Sequence, residues 1–503
     1  MLGIEFLCER KMPVTRPAPT TMRSSTSHPH LPFRALATLA TLAALTLPAA
    51  ALGAPKPGDK PVRSPGTLAQ LAGANGCLVD RSVPSGSCGK ARALKGPGPF
   101  MGSRAIAVSP DDKHVYVASS KSDAIAIFSR DARSGRLTQP QGAGGCIAAK
   151  GVSGCAKAIG LDGPNSLAIS ADGRTVYATS RTANSITVFR RNRSNGRLTQ
   201  LPPGFGCISG LPVPGCAGGR ALVAPDVVVV SPDGQNVYVG SFFGNAVAVF
   251  ARDRSGGSLA QPAGTAGCLA EGGADGCAPA LALKAPEGMA ISPNGANLYV
   301  ATAASNAVVA LSRDPSTGAL TQATDGSGCI VDSPLAGCTM GVQLAGANAV
   351  ALSPSGGDVY VTSLFSNSVT SFARTTPSGA LTQQPGTSGC LVLLRAVGCS
   401  FGRALAAPEG LAVSPDGASV YAAAFTTGAV AVLDRDRESG SVAQKPGSAG
   451  CLAPRSVPGC TRARALAGVS SIALSHDGRY VYSTSFESNA VDVFRRATPR
   501  RNK

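Results

Sequence analysis

Tryptophan is absent from the 503 residues, and the other aromatics are few, with 8 Tyr and 15 Phe. A core must therefore be packed mainly by Val, Ala, Leu and Ile, which suits sheets stacked closely at small-residue positions. Histidine is almost as scarce. His28 and His30 fall in the first 54 residues, which leaves His114 and His476 for the rest. No Ser/His/Asp set, phosphate loop or zinc motif is present. Long apolar runs are lacking too. Residues 35–47 (ALATLATLAALTL) are too short for an ordinary membrane span. They follow Arg34 and precede the small residues 48–54 (PAAALGA), the pattern of a secretory signal peptide cut within 49–54. Met22 is a candidate start, and no cysteine follows the small residues to carry a lipid anchor. Residues 1–54 are thus read as a signal peptide and 55–65 (PKPGDKPVRSP) as a Pro-rich linker.

What the chain has in abundance is one repeated unit. Residues 408–444, PEGLAVSPDGASVYAAAFTTGAVAVLDRDRESGSVAQ, give four short alternating segments separated by Asp-Gly and Ser-Gly, the signature of antiparallel hairpins. Tyr116, Tyr177, Tyr238, Tyr299, Tyr360, Tyr421 and Tyr482 mark the second segment at a constant spacing of 61. Seven copies imply an all-β, seven-bladed β-propeller with four antiparallel strands per blade. The missing tryptophan argues against the tryptophan-marked WD type. The last copy stops after three strands at Phe494, while residues 66–70 (GTLAQ) match the fourth-strand sequence GRLTQ at 135–139 and 196–200. The N-terminal segment is therefore expected to close the last blade and remove two sheet edges. The propeller spans 66–494, and 495–503 form a basic tail.

Cys8 lies in the leader. The other fourteen cysteines form seven pairs: Cys77/Cys88, Cys146/Cys155, Cys207/Cys216, Cys268/Cys277, Cys329/Cys338, Cys390/Cys399 and Cys451/Cys460. One pair per repeat points to one local disulfide per repeat in an oxidising compartment, each contributing roughly 2–3 kcal/mol. The pairs fall in long Gly-, Ala- and Pro-rich loops, which are expected to be irregular surface elements ordered by the disulfide. Zinc is disfavoured because no pair has CxxC spacing or an accompanying histidine. Bridges between neighbouring blades stay open. The formal charge is +18, and it falls to +15 when the five Lys/Arg and two Glu of residues 1–54 are removed. Much of it sits in one turn of each repeat, with Arg130, Arg133 and Arg136, then Arg190, Arg191, Arg193 and Arg197, then Arg252 and Arg254, and finally Arg435 and Arg437. We read these as a solvated basic rim, with an anionic cell-surface polymer as the alternative partner. Nucleic acid is not expected, because no aromatics interleave with the arginines.

The segments VYVA (115–118), VYVG (237–240), LYVA (298–301) and VYVT (359–362), each after an SPDG-like turn, resemble YVTN-type repeats. Residues 66–494 are similar to the seven-bladed lactonase-like propellers, which include 6-phosphogluconolactonases and carboxymuconate cyclases. The resemblance implies that the first strand is innermost. Its starting residues, Arg104, Asn165, Asp226, Glu287, Asn348, Glu409 and Ser470, would then rim a central channel. Lys121, Arg181, Phe242, Phe243, Phe365, Phe425, Phe486 and Glu487, on turns of the second hairpin, would open on the same face. Such a mouth could take a small molecule, a glycan or a protein. The plainer reading is that the acids cap backbone groups and the phenylalanines pack under the Cys loops. No cofactor is expected; calcium on the carboxylates is the one alternative, without a calcium-loop pattern to support it. Asp123, Asn184, Asn245, Asn306, Asn367 and Asn489, with Gly428, share one position and should adopt a left-handed turn. His114 and His476 map to the opposite face, which leaves no histidine base at the mouth. The leading expectation is a secreted, monomeric binding scaffold. The alternative is a lactonase or related cyclase using Glu287 or Glu409, with Arg104 stabilising an oxyanion.

Overall fold

The computed structural model describes residues 64–84, 86–98, 104–454 and 456–498. The residues read from sequence as a leader, most of those read as a linker and the last five residues lie outside them. No helix among the described residues is long and apolar enough to cross a membrane.

Seven sheets of six strands each make a seven-bladed β-propeller. Blade 2 shows the pattern. Pro164–Ile169, Thr175–Ser180 and Ser185–Arg191 form an antiparallel meander. Beyond it, the expected fourth strand covers only half of its neighbour: Leu198–Gln200 pairs with residues 189–191, and Cys207–Ser209 takes the other half at 185–187. Ala217–Gly218 then adds a short parallel strand.

The disulfides follow the expected pairing: Cys77–Cys88, Cys146–Cys155, Cys207–Cys216, Cys268–Cys277, Cys329–Cys338, Cys390–Cys399 and Cys451–Cys460. All seven are local to one sheet, with Cα separations of 4.7–4.9 Å, so blade-to-blade bridges are excluded. Their setting, however, corrects the expectation of an irregular surface loop. The first cysteine of each pair is buried within a strand that hydrogen-bonds to the third strand of its blade. Cys88, Cys155, Cys216, Cys277, Cys399 and Cys460 each stand one residue before the short parallel strand, and Cys338 begins it. Cys277 is buried, whereas Cys155, Cys216, Cys399 and Cys460 are half-buried at the sheet margin. Each disulfide thus pins the outermost strand of a blade to its neighbour. The cause is the accounting of backbone bonds, since residues such as 185–187 would otherwise present an open edge.

The core lies between blades, where one sheet face meets the next. One cluster joins Tyr177, Ile186 and Val188 of blade 2 to Val237, Val239 and Phe250 of blade 3. The seven marker tyrosines are fully buried.

Closure involves more of the N-terminal segment than one strand. Leu68–Gln70 pairs with residues 494–496, Cys77–Asp80 pairs with residues 490–492, and Gly89–Ala91 lies parallel to the latter. Blade 7 is thus three strands from each end of the propeller, and the Cys77–Cys88 disulfide belongs to it.

The arginines require a correction. Arg130, Arg191, Arg252, Arg313, Arg374, Arg435 and Arg496, again 61 apart, are buried. Each ends the third strand and donates from Nε to the marker tyrosine of the preceding blade at 2.6–2.8 Å. Six of them also form an ion pair with an aspartate of that blade. Each tyrosine hydroxyl donates in turn to a glycine carbonyl, as Tyr238 does to Gly318 at 2.9 Å. This is a repeated clamp across every blade junction. Only the remainder, such as Arg133, Arg193, Arg254 and Arg437, is the exposed rim expected from sequence. The shared Asx position does adopt φ of +46° to +51°. Its side chain also bridges blades, as when Asn245 accepts from the Ala285 amide at 2.9 Å.

Candidate functional site

The innermost strands bring the strand-start residues into a ring, but not into an open mouth. Asn165, Asp226, Asn348, Glu409 and Ser470 are 0 % exposed and Glu287 is 1 % exposed. The ring is a polar belt between blades. Asn165 donates to Asp226 on the next blade and accepts from Thr179 at 2.9 Å. Asn348 donates to the Pro408 carbonyl at 3.1 Å and accepts from Thr362 at 2.8 Å. Ser470 donates to the Gly98 carbonyl at 3.0 Å. The expectation that all these side chains rim a solvent-filled mouth is corrected: the close approach of neighbouring inner strands buries them. A Cβ on Gly288 would meet the Asn348 carbonyl at 2.4 Å.

Burial dominates the acids. It pushes Asp226 up to about 7, against the pull of Arg181 and of the Asn165 hydrogen bond. Glu287 is raised well above the usual carboxylate range by burial first, then by the nearby charges of Asp226 and Glu409. Asp226 Oδ2 and Glu287 Oε1 have no hydrogen-bond partner among the described residues. Among those residues no group of His, Cys, Asp and Glu is placed to hold a metal ion.

Arg181 spans the belt and the turn face. It lies 3.6 Å from Asp226 and stacks over Phe242 and Phe243 at 4.5 and 5.3 Å. Lys121 sits 4.2 Å over Phe486, whose ring is 6.4 Å from Phe425. Phe243 and Phe365 are exposed rather than tucked under the Cys segments, and so is Glu487.

The open space is the bore itself, a cavity of about 550 Å³. At its head stand Arg104 and Glu409, and below them Ile106, Leu167, Val228, Val350, Leu411 and Ile472 form an apolar tier. A second tier has one residue per blade: Val108, Ile169, Val230, Ile291, Leu352, Val413 and Leu474. The lip carries Pro110, Pro293, Pro354 and His476 from the SPDG-type turns, and the last three are exposed. The cavity thus opens on the face that the sequence reading assigned as opposite the mouth. His476 is on its rim and shares a 3.1 Å contact through Nδ1 with Asp112 Oδ1. Burial works against ionisation of Asp112, but the hydrogen bonds from His476 prevail and lower its pKa. His114 instead lies buried in the blade 1–2 junction against Arg191, and burial followed by that positive charge lowers it to about 4. Arg104 reaches across the bore to the Val350 carbonyl of blade 5 at 3.1 Å. Its side chain is exposed to the bore, yet the enclosing protein removes enough solvent to lower its pKa.

Two signals for this architecture were present in the sequence and went unread. The arginine two residues after each third-strand Phe or Leu has the period of the tyrosine. So does the apolar residue just before each SPDG-type turn, from Val108 to Leu474.

The fold is that of a seven-bladed β-propeller enclosing a central bore. The family described as "Lactonase, 7-bladed beta-propeller" matches residues 151–202 and 219–336, essentially blades 2 to 4. Among solved structures, the periplasmic gluconolactonase PpgL of Pseudomonas aeruginosa is similar at 21 % identity and a TM-score of 0.46, over 67 % of this chain and 82 % of that one. Hydrazine synthase of Kuenenia stuttgartiensis is similar at 19 % identity and a TM-score of 0.50, over 80 % of this chain and 98 % of that one. At these identities the likeness is one of fold. No curated protein matches significantly.

Proposed function

We propose that this chain is an exported, disulfide-stapled binding propeller whose ligand site is the central bore. The observation that carries the reading is the bore's lining: two apolar tiers under a single guanidinium, with almost no side-chain hydroxyl or amide. Among the described residues Ser353 is the one such group, and it is engaged by Ser355 and the Asp358 amide at 3.0 and 3.1 Å. A polyhydroxylated substrate would find its partners there almost only in the main chain. Catalysis by the strand-start acids is also poorly served, because Asp226, Glu287 and Glu409 are buried. Export is supported by the seven disulfides, which persist in oxidising compartments, together with the leader-like residues 1–54.

One observation favours a second reading, lactone hydrolysis: the Arg104 guanidinium faces the bore, and the strand start that carries the buried Glu409 stands at the same head. Assaying the oxidised, purified chain against a panel of sugar, aliphatic and aromatic lactones separates the two. The binding reading expects no opening above buffer. Turnover that Glu409→Gln abolishes would replace it with the hydrolase.

A further inference from the structure

The bore holds a charge that the described residues leave largely unanswered. The seven clamp arginines each fill several acceptors; Arg313 alone meets Tyr238, Gly295, Asp233 and Asn236. Arg104 differs. Among the described residues it makes one hydrogen bond, to the Val350 carbonyl, from a group with five N–H donors. Among those residues no carboxylate forms an ion pair with it. Around it stand Ile106, Leu167, Leu411 and Ile472, so an anion held on its guanidinium would rest its body against aliphatic side chains. From position 104 to position 108 the inner strand rises about 13 Å, and the wall over that distance is aliphatic down to the Val108–Leu474 collar. The lining side chains of the described residues offer one hydroxyl, so a row of sugar hydroxyls would have to rely on main-chain groups.

Resting on the reading of the bore as the ligand site, we infer that it takes an amphipathic organic anion: a carboxylate on an apolar chain or ring, its head on Arg104 and its body within the aliphatic collar.

Isothermal titration of the oxidised full chain tests this, with sodium decanoate, decanol, decyltrimethylammonium and sodium gluconate, each below its micelle concentration. Decanoate is expected to bind 1:1 and at least about tenfold more tightly than decanol or decyltrimethylammonium, and gluconate not at all. Arg104→Met should cost decanoate about tenfold or more and leave decanol unchanged. Leu352→Glu, in the collar, should abolish both. Decanoate binding no tighter than decyltrimethylammonium on the unmodified chain overturns the inference without recourse to any variant. Decanol binding that Leu352→Glu removes, with decanoate gaining nothing from Arg104, sinks the anion assignment but leaves the bore as a ligand site. If none of the four ligands binds, both readings fail.

Discussion

Replacing Arg313 by Met tests whether the blade junctions are held by the arginine clamps rather than by apolar contact alone. Arg313 is 5 % exposed. Its guanidinium donates to Tyr238 Oη at 2.8 Å, the Gly295 carbonyl at 3.1 Å, Asp233 Oδ2 at 2.7 Å and Asn236 Oδ1 at 2.6 Å. Methionine keeps much of the stem and none of the donors. Breaking a buried ion pair on one side costs about 3–5 kcal/mol. The Asp233 side chain is 31 % exposed and can recover water, so the lower end applies. Tyr238→Phe removes less. It deletes the acceptor for Nε and the donor to the Gly318 carbonyl, about 1–3 kcal/mol. The two changes share one bond, so the double variant should cost less than the sum, by about 1 kcal/mol or more. Urea denaturation followed by far-UV circular dichroism supplies the four stabilities, and Arg254→Ala, on the exposed rim, is the control expected within about 0.5 kcal/mol of the parent. Strict additivity, or an Arg313→Met cost under about 1 kcal/mol, would refute the clamp.

The remaining predictions concern pH, the disulfides and the closure. Asp226, Glu287 and Asp492 have folded pKa values raised by burial, Asp226 to about 7. The native state therefore holds protons that the unfolded chain releases above about pH 4. Stability from Asp226 is fully present below that pH and lost as pH rises towards 7, by on the order of 4 kcal/mol. Asp477 behaves oppositely: burial resists, but hydrogen bonds from Ser475 and Arg479 lower it to about 2, so its contribution disappears as pH falls below 4. Urea midpoints should accordingly peak near pH 4–5, and Asp226→Asn should flatten the limb between 5 and 7; midpoints that climb steadily to pH 8 contradict this. Mutating Cys329 and Cys338 together to Ser should cost roughly 2–3 kcal/mol, read from the same denaturation curves. Gln70→Ala removes donations to the Gly76 and Arg464 carbonyls at 3.1 and 3.0 Å, and the acceptor for the Arg464 amide at 2.9 Å. Limited proteolysis should then release the N-terminal strands of blade 7 sooner than in the parent; an unchanged digestion rate would deny that residue a part in closure.

The ring was legible because its signals are local and repeated. Asp-Gly turns, tyrosines 61 apart and a fourth-strand match at residues 66–70 together specify seven blades and a shared last blade. The cysteine pairing was legible for the same reason, since each pair recurs within its own repeat. The finer sheet was not, because Cys207–Ser209 and Ala217–Gly218 are too short to stand out as strands before their partners are known. Arg130 and Arg133 illustrate why charge alone misleads: three residues apart in one turn, one is buried on Tyr482 and the other faces solvent. Which neighbour a side chain meets across a junction is a tertiary fact. The same holds for the site. Position 104 and position 226 are equivalent in the repeat, but inter-blade bonding draws Asp226 into the wall and leaves Arg104 in the bore. The open face, too, depends on how tightly the strand starts pack, which no single repeat encodes.

The bore is the point on which the functional account turns, and one comparison addresses it: thermal shift of the parent and of Leu352→Glu against a common panel of organic anions, cations and lactones. Ligands that raise the melting temperature of the parent should leave the collar variant unmoved. Equal stabilisation of the two proteins would place the binding surface elsewhere and contradict the account.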